Sequence, residues 1–402
     1  MGTNTNPQKI KDVLTKGVEV IYPESKDLEE KMKSGERIRL YCGYDPSSPK
    51  LHLGHLITLK KLSQFQNLGH EVIMLIGDFT GMIGDPTEKL AVRKKLSRKE
   101  VLDNSKNYKK IAGKFLGFSG ENAVKILFNS KWLDNLSFAR LIELASNFTV
   151  QQMIIRDMFQ ERITQKKPIY LHEFLYPLAQ AYDSVAMDVD LEVGGRDQLF
   201  NMLCGRDLMK ILKNKEKFVL ATKLLTDPGG KKMGKTSGNA VNLDDRPEDI
   251  YGKIMSWPDG LIVPGLELCT DAALSEIEKI SEGMRCGKIN PRDAKAGLAR
   301  EIVSVCYDKK TAEKAEKEFN KIFRNKEIPS EIKKVKIGGR EVNILDLLMK
   351  ADLVASKSEA KRLIVQGGVK IDKKAENDWR KSVEIKKGMI IQAGKRKFAQ
   401  II

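Results

Sequence analysis

Histidine, cysteine and tryptophan are scarce in this chain, with four, five and three residues among 402. The five cysteines (Cys42, Cys204, Cys269, Cys286 and Cys306) are odd in number, scattered, and nowhere spaced as CxxC. Neither a disulfide framework nor a zinc-ligand set can be read from them, and small buried hydrophobes in a reducing compartment are the expectation. No stretch approaches the roughly 20 apolar residues of a membrane span, and the first 22 residues lack the apolar core and small-residue cleavage site of a secretory signal. A cytoplasmic protein without membrane association is expected.

What is abundant is positive charge. Lys plus Arg outnumber Asp plus Glu by 71 to 54, a formal net charge of +17. That excess raises affinity for polyanions, nucleic acid first, although a lysine-rich composition alone names no partner. At 402 residues, two or three domains are expected.

Residues 1–245 alternate short apolar runs with amphipathic ones. Strands are predicted over 38–43, 71–76, 124–128 and 191–193, and helices over 56–68 and 151–163. Such alternation predicts an α/β fold, a Rossmann-like parallel sheet covered on both faces, with a helical insertion at about 86–170. Strand signals fade over 246–325, where Asn290 before Pro291 is a helix start, so an all-helical domain is predicted. Residues 326–338 are charged, contain Pro329 and read as a linker. Residues 339–402 read as a small α/β unit. From Arg340 to Ile402, 15 Lys or Arg face 8 Asp or Glu, so this tail holds a large share of the whole excess.

Two of the four histidines fall in one tetrapeptide, His52-Leu53-Gly54-His55, after a strand and a polar turn and at the start of a helix. A helix N-terminus in that context offers unpaired N–H groups and positive dipole to phosphate. Two imidazoles there can donate to phosphate oxygens, and Gly54 leaves room for a flat base. Taken alone, two incidental surface histidines would be the plainer reading. Far along the chain, Asp227-Pro228-Gly229-Gly230 leads into Lys231-Lys232-Met233-Gly234-Lys235-Thr236. A glycine-flanked loop with paired lysines suits charge developing on a polyphosphate, whereas a lysine cluster by itself is usually solvated.

Together the two segments resemble the HIGH and KMSKS signatures of class I aminoacyl-tRNA synthetases. Leu53 stands for isoleucine, and Gly234 and Thr236 stand for the two serines. Tyr41-Cys42-Gly43-Tyr44-Asp45-Pro46, Tyr176-Pro177-Leu178-Ala179-Gln180-Ala181-Tyr182-Asp183 and Gly194-Gly195-Arg196-Asp197-Gln198 narrow the resemblance to tyrosyl-tRNA synthetases of the bacterial kind. Independently of any family, Tyr176, Gln180 and Asp183 fall at i, i+4 and i+7, on one helix face.

The resemblance implies that Tyr41 and Asp183 hold the phenol hydroxyl of tyrosine. It implies that Asp85, Tyr176 and Gln180 hold the α-ammonium, with Gln198 nearby. His52, His55, Lys232, Lys235 and Thr236 would work on the phosphates, and Ser47, Gly54 and Asp197 would line the ATP. Lys89 and Arg93 fall where the family reaches for pyrophosphate. ATP is the implied substrate, with Mg2+ carried on it; no dedicated metal cluster and no tightly bound cofactor are expected. The related tryptophan enzymes share the fold but are not expected to carry the Tyr41 and Asp183 pair.

The segment 354–371 resembles an S4 RNA-binding domain, with Lys357, Lys361 and Arg362 near one side of a helix and Gly367-Gly368 turning into a strand. The implied partners are tRNA(Tyr) and a second copy of the chain in a homodimer. Two other readings remain open at this point: an RNA-binding relative without catalysis, and a synthetase for another amino acid.

Overall fold

The computed structural model describes residues 2–87, 96–226, 240–323, 332–394 and 397–402. The chain divides into two compact units, residues 1–309 and 310–402.

The first unit is built on a six-stranded sheet of β1 (Val18–Tyr22), β2 (Arg39–Tyr44), β3 (Glu71–Ile76), β4 (Lys125–Phe128), β5 (Leu191–Gly195) and β6 (Phe218–Thr222), in the order β1-β6-β5-β2-β3-β4. The strands from β2 to β6 pair in parallel. Val72 to Ile76 of β3 are all buried, as a strand covered on both faces requires. β1 departs from the predicted all-parallel sheet. It closes the edge antiparallel to β6 and is irregular between Val18 and Val20, and an antiparallel edge strand on a parallel sheet needs no crossover helix.

The order reverses between β5 and β2: the chain runs outward from β2 through β3 to β4, then restarts at β5 and runs the other way to β6. In doubly wound sheets that switch point leaves a crevice beyond the carboxyl ends of the strands, where ligands sit. His52 follows β2, and Asp197 follows β5.

The region expected as a helical insertion also contributes β4 to the sheet. The single helix expected over 151–163 is two, Val150–Ile154 and Asp157–Thr164. Arg156 between them is extended, because its guanidinium turns inward to donate to Thr87 Oγ1 at 2.7 Å and lies over the Phe200 ring at 4.7 Å. Helices follow from Pro247 onward. One of them, Pro291–Cys306, has Asn290 Oδ1 capping Arg292 N at 2.9 Å.

In the second unit the sheet order is β10-β9-β12-β13-β7, from β7 (Lys333–Val335), β9 (Val369–Ile371), β10 (Lys374–Ala375), β12 (Ile390–Ala393) and β13 (Lys397–Ile401), with β8 (Glu341–Asn343) paired to β11 (Ser382–Glu384). Helices Ile344–Lys350 and Lys357–Val365 pack onto it around Leu347, Leu348, Ile364 and Ile391. Part of the segment read as a linker is β7, parallel to β13. Its Lys-Lys-Val sequence has too little apolar alternation to announce a strand.

Candidate active site at the switch point of the sheet

The histidine tetrapeptide caps its own helix, Leu53–Asn67. His52 Nδ1 accepts the N–H of Gly54 at 3.1 Å, and His55 Nδ1 accepts the N–H of His52 at 3.0 Å. In a neutral imidazole that accepts at Nδ1 the proton sits on Nε2. Both rings are thereby set as Nε2 donors, with centroids 4.0 Å apart. A Cβ on Gly54 would lie 2.9 Å from His52 Cε1, so glycine is needed to let the imidazole fold back onto the helix end.

Lys232, Lys235 and Thr236 lie outside the described residues, as do Lys89 and Arg93. The chain that follows the lysine segment is described, and it runs against the histidines. Leu53 N donates to Val241 O at 3.1 Å, Leu243 N donates to Leu51 O at 2.9 Å, and His52 and Asn242 form an antiparallel bridge. Asp245 holds this foot, accepting from Asn242 N at 3.0 Å and Lys253 Nζ at 2.6 Å.

Tyr176, Gln180 and Asp183 all belong to the helix Leu171–Met187, and each reaches a different neighbouring segment. Tyr176 OH donates to Asp45 Oδ2 at 2.8 Å, just past the end of β2. Gln180 Nε2 donates to Glu192 Oε1 on β5 at 2.9 Å. Asp183 accepts from Trp132 Nε1 at 2.7 Å and Asn129 Nδ2 at 3.2 Å, both just past β4. Burial drives the Asp183 carboxyl well above the usual carboxylate range, against the lowering effect of Trp132 and Asn129. A carboxylate has about four lone-pair sites, so two donors leave Asp183 able to take a third.

Tyr41 is fully buried on β2 and pairs through its hydroxyl with Ser184 Oγ at 2.9 Å rather than with Asp183. Burial, with the nearby Glu192 and Asp183 carboxylates, pushes its phenol well above the ordinary value. Asp85 is buried, accepting from Thr87 N at 2.9 Å and from Gln198 Nε2 at 2.6 Å; Gln198 also reaches Asp197 Oδ2 at 3.4 Å. Ser47 is exposed in the turn before the histidines, its N–H bonded to Asp45 O. Thus Tyr41 and Gln180 are joined through Ser184 and Glu192, Asp183 and Tyr176 are joined through Asn129, Thr80 and Asp45, and Asp85, Gln198 and Asp197 form a third set. Among the described residues no group of three or more His, Cys, Asp or Glu is placed to hold a metal ion, and no helix is long and apolar enough to cross a membrane.

The family model of class I tRNA synthetases (W and Y) matches residues 32–324. The tyrosine–tRNA ligase of Moorella thermoacetica is 42% identical over 97% of this chain and 94% of its own length. That of Thermotoga maritima is 43% identical over 99% and 98%. The chain belongs to the tyrosine–tRNA ligase family of class I tRNA synthetases. In fold, the tyrosyl-tRNA synthetase of Archaeoglobus fulgidus, solved with L-tyrosine, superposes with a TM-score of 0.62 at 24% identity, covering 77% of this chain and all of the other. ATP is a substrate of synthetases in this family.

Spacing along the chain does not reveal the residues that hydrogen-bond to the site side chains or to their partners: Asp45, Asn129, Trp132, Ser184, Glu192 and Lys217. A faint signal existed for one of them, since Trp132, one of only three tryptophans, comes shortly after the predicted strand 124–128. In the second unit Lys357, Lys361 and Arg362 are exposed; Lys357 pairs with Asp346 at 2.6 Å, and Lys361 Nζ lies 4.2 Å from the Trp379 ring centroid.

Proposed function

We propose that this chain activates L-tyrosine with ATP and transfers it to the 3′ end of tRNA(Tyr). The observation that carries this reading is that Tyr41 and Gln180 are joined through Ser184 and Glu192 across β2 and β5, the two strands of the switch point, with Asp183 beside Ser184 on the same helix and the histidine-capped helix following β2. In it, the tyrosine carboxylate attacks the α-phosphorus; the new O–P bond forms as the bond to pyrophosphate breaks. A carboxylate is ionised at pH 7, so no general base is needed. Catalysis rests on positioning and on donors to the phosphates. His52 and His55 supply two such donors through Nε2, and Lys232, Lys235 and Thr236 supply others. Ser47, Gly54 and Asp197 line the nucleotide, Lys89 and Arg93 meet the pyrophosphate, and magnesium arrives on ATP.

Tyr41 and Asp183 take the phenol hydroxyl, while Asp85, Tyr176 and Gln180, with Gln198, take the ammonium. Rejection of phenylalanine follows: without a hydroxyl, buried polar groups already desolvated go unsatisfied, at about 1–3 kcal/mol each. Residues 1–245 form the catalytic domain, residues 246–325 the anticodon-binding domain, and residues 339–402 an S4 domain that binds tRNA through a surface including Lys357, Lys361 and Arg362. A homodimer goes with this reading. Its support is an exposed apolar set around the helix Phe138–Ala145, with Phe138 77% and Ile142 55% exposed one turn apart, and Val150, Ile155 and Leu171 also exposed. A cytoplasmic location goes with ATP and tRNA as substrates. Tyrosine-dependent ATP–pyrophosphate exchange tests the reading; an absence of exchange overturns it.

A further inference from the structure

Behind the tyrosine pocket lies an ion pair that no assigned role uses. Lys217, directly before β6, is fully buried, and its Nζ donates to Glu192 Oε2 and, at 2.9 Å, to Ser184 Oγ. Glu192 on β5 is 2% exposed and stands in register beside Tyr41 on β2. Its other oxygen accepts from Gln180 at 2.9 Å. Ser184, also fully buried, meets Tyr41 OH at 2.9 Å and Glu192 Oε2 at 3.4 Å. One buried cation thus connects, through a single carboxylate and a single hydroxyl, to a residue at each end of the proposed substrate.

We propose that Lys217 and Glu192 are a positioning pair that sets amino-acid selectivity, holding Gln180 for the ammonium and polarising Ser184 and Tyr41 for the phenol. The inference rests on the tyrosine-activating reading. The physical reason lies in hydrogen-bond accounting. An ammonium donates only, so Lys217 occupies one lone pair of Ser184 Oγ. The Ser184 proton goes to the carboxylate Glu192, the stronger acceptor. The lone pair that remains on Ser184 then takes the Tyr41 proton. Tyr41, like Asp183, is left an acceptor, and the single proton of a substrate hydroxyl satisfies the two in a three-centre hydrogen bond. Tyrosine has one at that end and phenylalanine has none.

Gly205 is fitted to this pair. It sits inside the helix Leu199–Lys213, where glycine is a poor helix former. A Cβ there would lie 2.5 Å from Lys217 Nζ and 3.0 Å from Ser184 Oγ. The missing side chain is the space the ammonium occupies. Removing one member of a buried pair strands the other, whereas replacing both with apolar groups is often neutral for stability. That difference separates positioning from simple support of the core.

The test uses the full chain with Lys217→Met, Gly205→Ala and the double variant Lys217→Met/Glu192→Met, measuring thermal unfolding and exchange with tyrosine and with phenylalanine. Lys217→Met should raise KM for tyrosine and lower the tyrosine-to-phenylalanine ratio of kcat/KM by about tenfold each, leaving KM for ATP within about twofold. Gly205→Ala should shift both in the same direction by less. The double variant should melt like the unmodified chain yet keep the selectivity defect, which decides the matter even if Lys217→Met does not fold. A double variant with normal selectivity, or folded variants with unchanged tyrosine KM and selectivity, overturns the inference alone. An unmodified chain without tyrosine-dependent exchange brings down the tyrosine reading, and the inference with it.

Discussion

Leu53 donates its backbone N–H to the carbonyl of Val241, so the helix opened by the two histidines is hydrogen-bonded to the chain that leaves the lysine segment. The two signatures, about 180 residues apart in sequence, share an anchored foot. Asp245 keeps that foot in place through Asn242 and Lys253; burial alone would raise its carboxyl, but those hydrogen bonds hold it below the usual range. Asp245→Ala should therefore lower the rate of adenylate formation by about tenfold with KM for tyrosine nearly unchanged. Single-turnover kinetics would show it, and an equal rise in tyrosine KM would contradict it.

His52→Ala and Lys235→Ala should each slow adenylate formation by about a hundredfold, the usual scale for one donor to developing charge. Tyrosine binding, followed by equilibrium titration, should hardly change. Equal losses in rate and binding would remove the transition-state role.

Asp183→Ala leaves Trp132 Nε1 donating to nothing and Asn129 Nδ2 with Thr80 Oγ1 alone, and tyrosine selectivity should collapse. Asp183→Asn keeps the shape but offers an amide group with a single acceptor oxygen. It should retain the fold, by near-UV circular dichroism, and still lose about tenfold in selectivity for tyrosine over phenylalanine. Unaltered selectivity in both variants would mean that Asp183 does not meet the substrate.

Phe138→Asp and Ile142→Asp place charge on the exposed face of the helix Phe138–Ala145. Sedimentation equilibrium should find dimers of the unmodified chain and monomers of the variants. Variants that remain dimeric would direct the search to another surface.

Lys61 is buried, donating to Val13 O and, at 3.0 Å, to Lys16 O; burial, with Lys16 and Lys60 nearby, lowers its pKa to about 7. Between that value and the ordinary lysine value of 10.5, the unfolded chain binds a proton that the folded chain does not. Stability should therefore rise with pH across that window, by at most about 1.4 kcal/mol per pH unit, and no further above it. Lys61→Met should flatten that part of the profile of melting temperature against pH.

The sequence carried the parts of the site that local geometry defines. His52 to His55 sit at a strand–turn–helix junction, and the spacing of Tyr176, Gln180 and Asp183 puts them on one helix. The partners of those residues were not legible. Glu192, Lys217 and Asn129 come from separate elements that only the strand order brings together, and no spacing along the chain encodes that order. The break at Arg156 was hidden for a related reason. Its apolar neighbours keep a helical period, and the pull on its guanidinium comes from Thr87 and Phe200, 69 residues upstream in one case. The strand Lys333–Val335 was not legible because Val335 is its single apolar side chain, packed against the core of the second unit, and two lysines before it carry no alternation.

That same strand makes the final segment of the chain a keystone rather than a loose end. β13 lies between β12 and β7, so trimming residues 397–402 would unzip two ladders at once and take Ala399 and Ile401 out of the core they share with Ile391 and Val335.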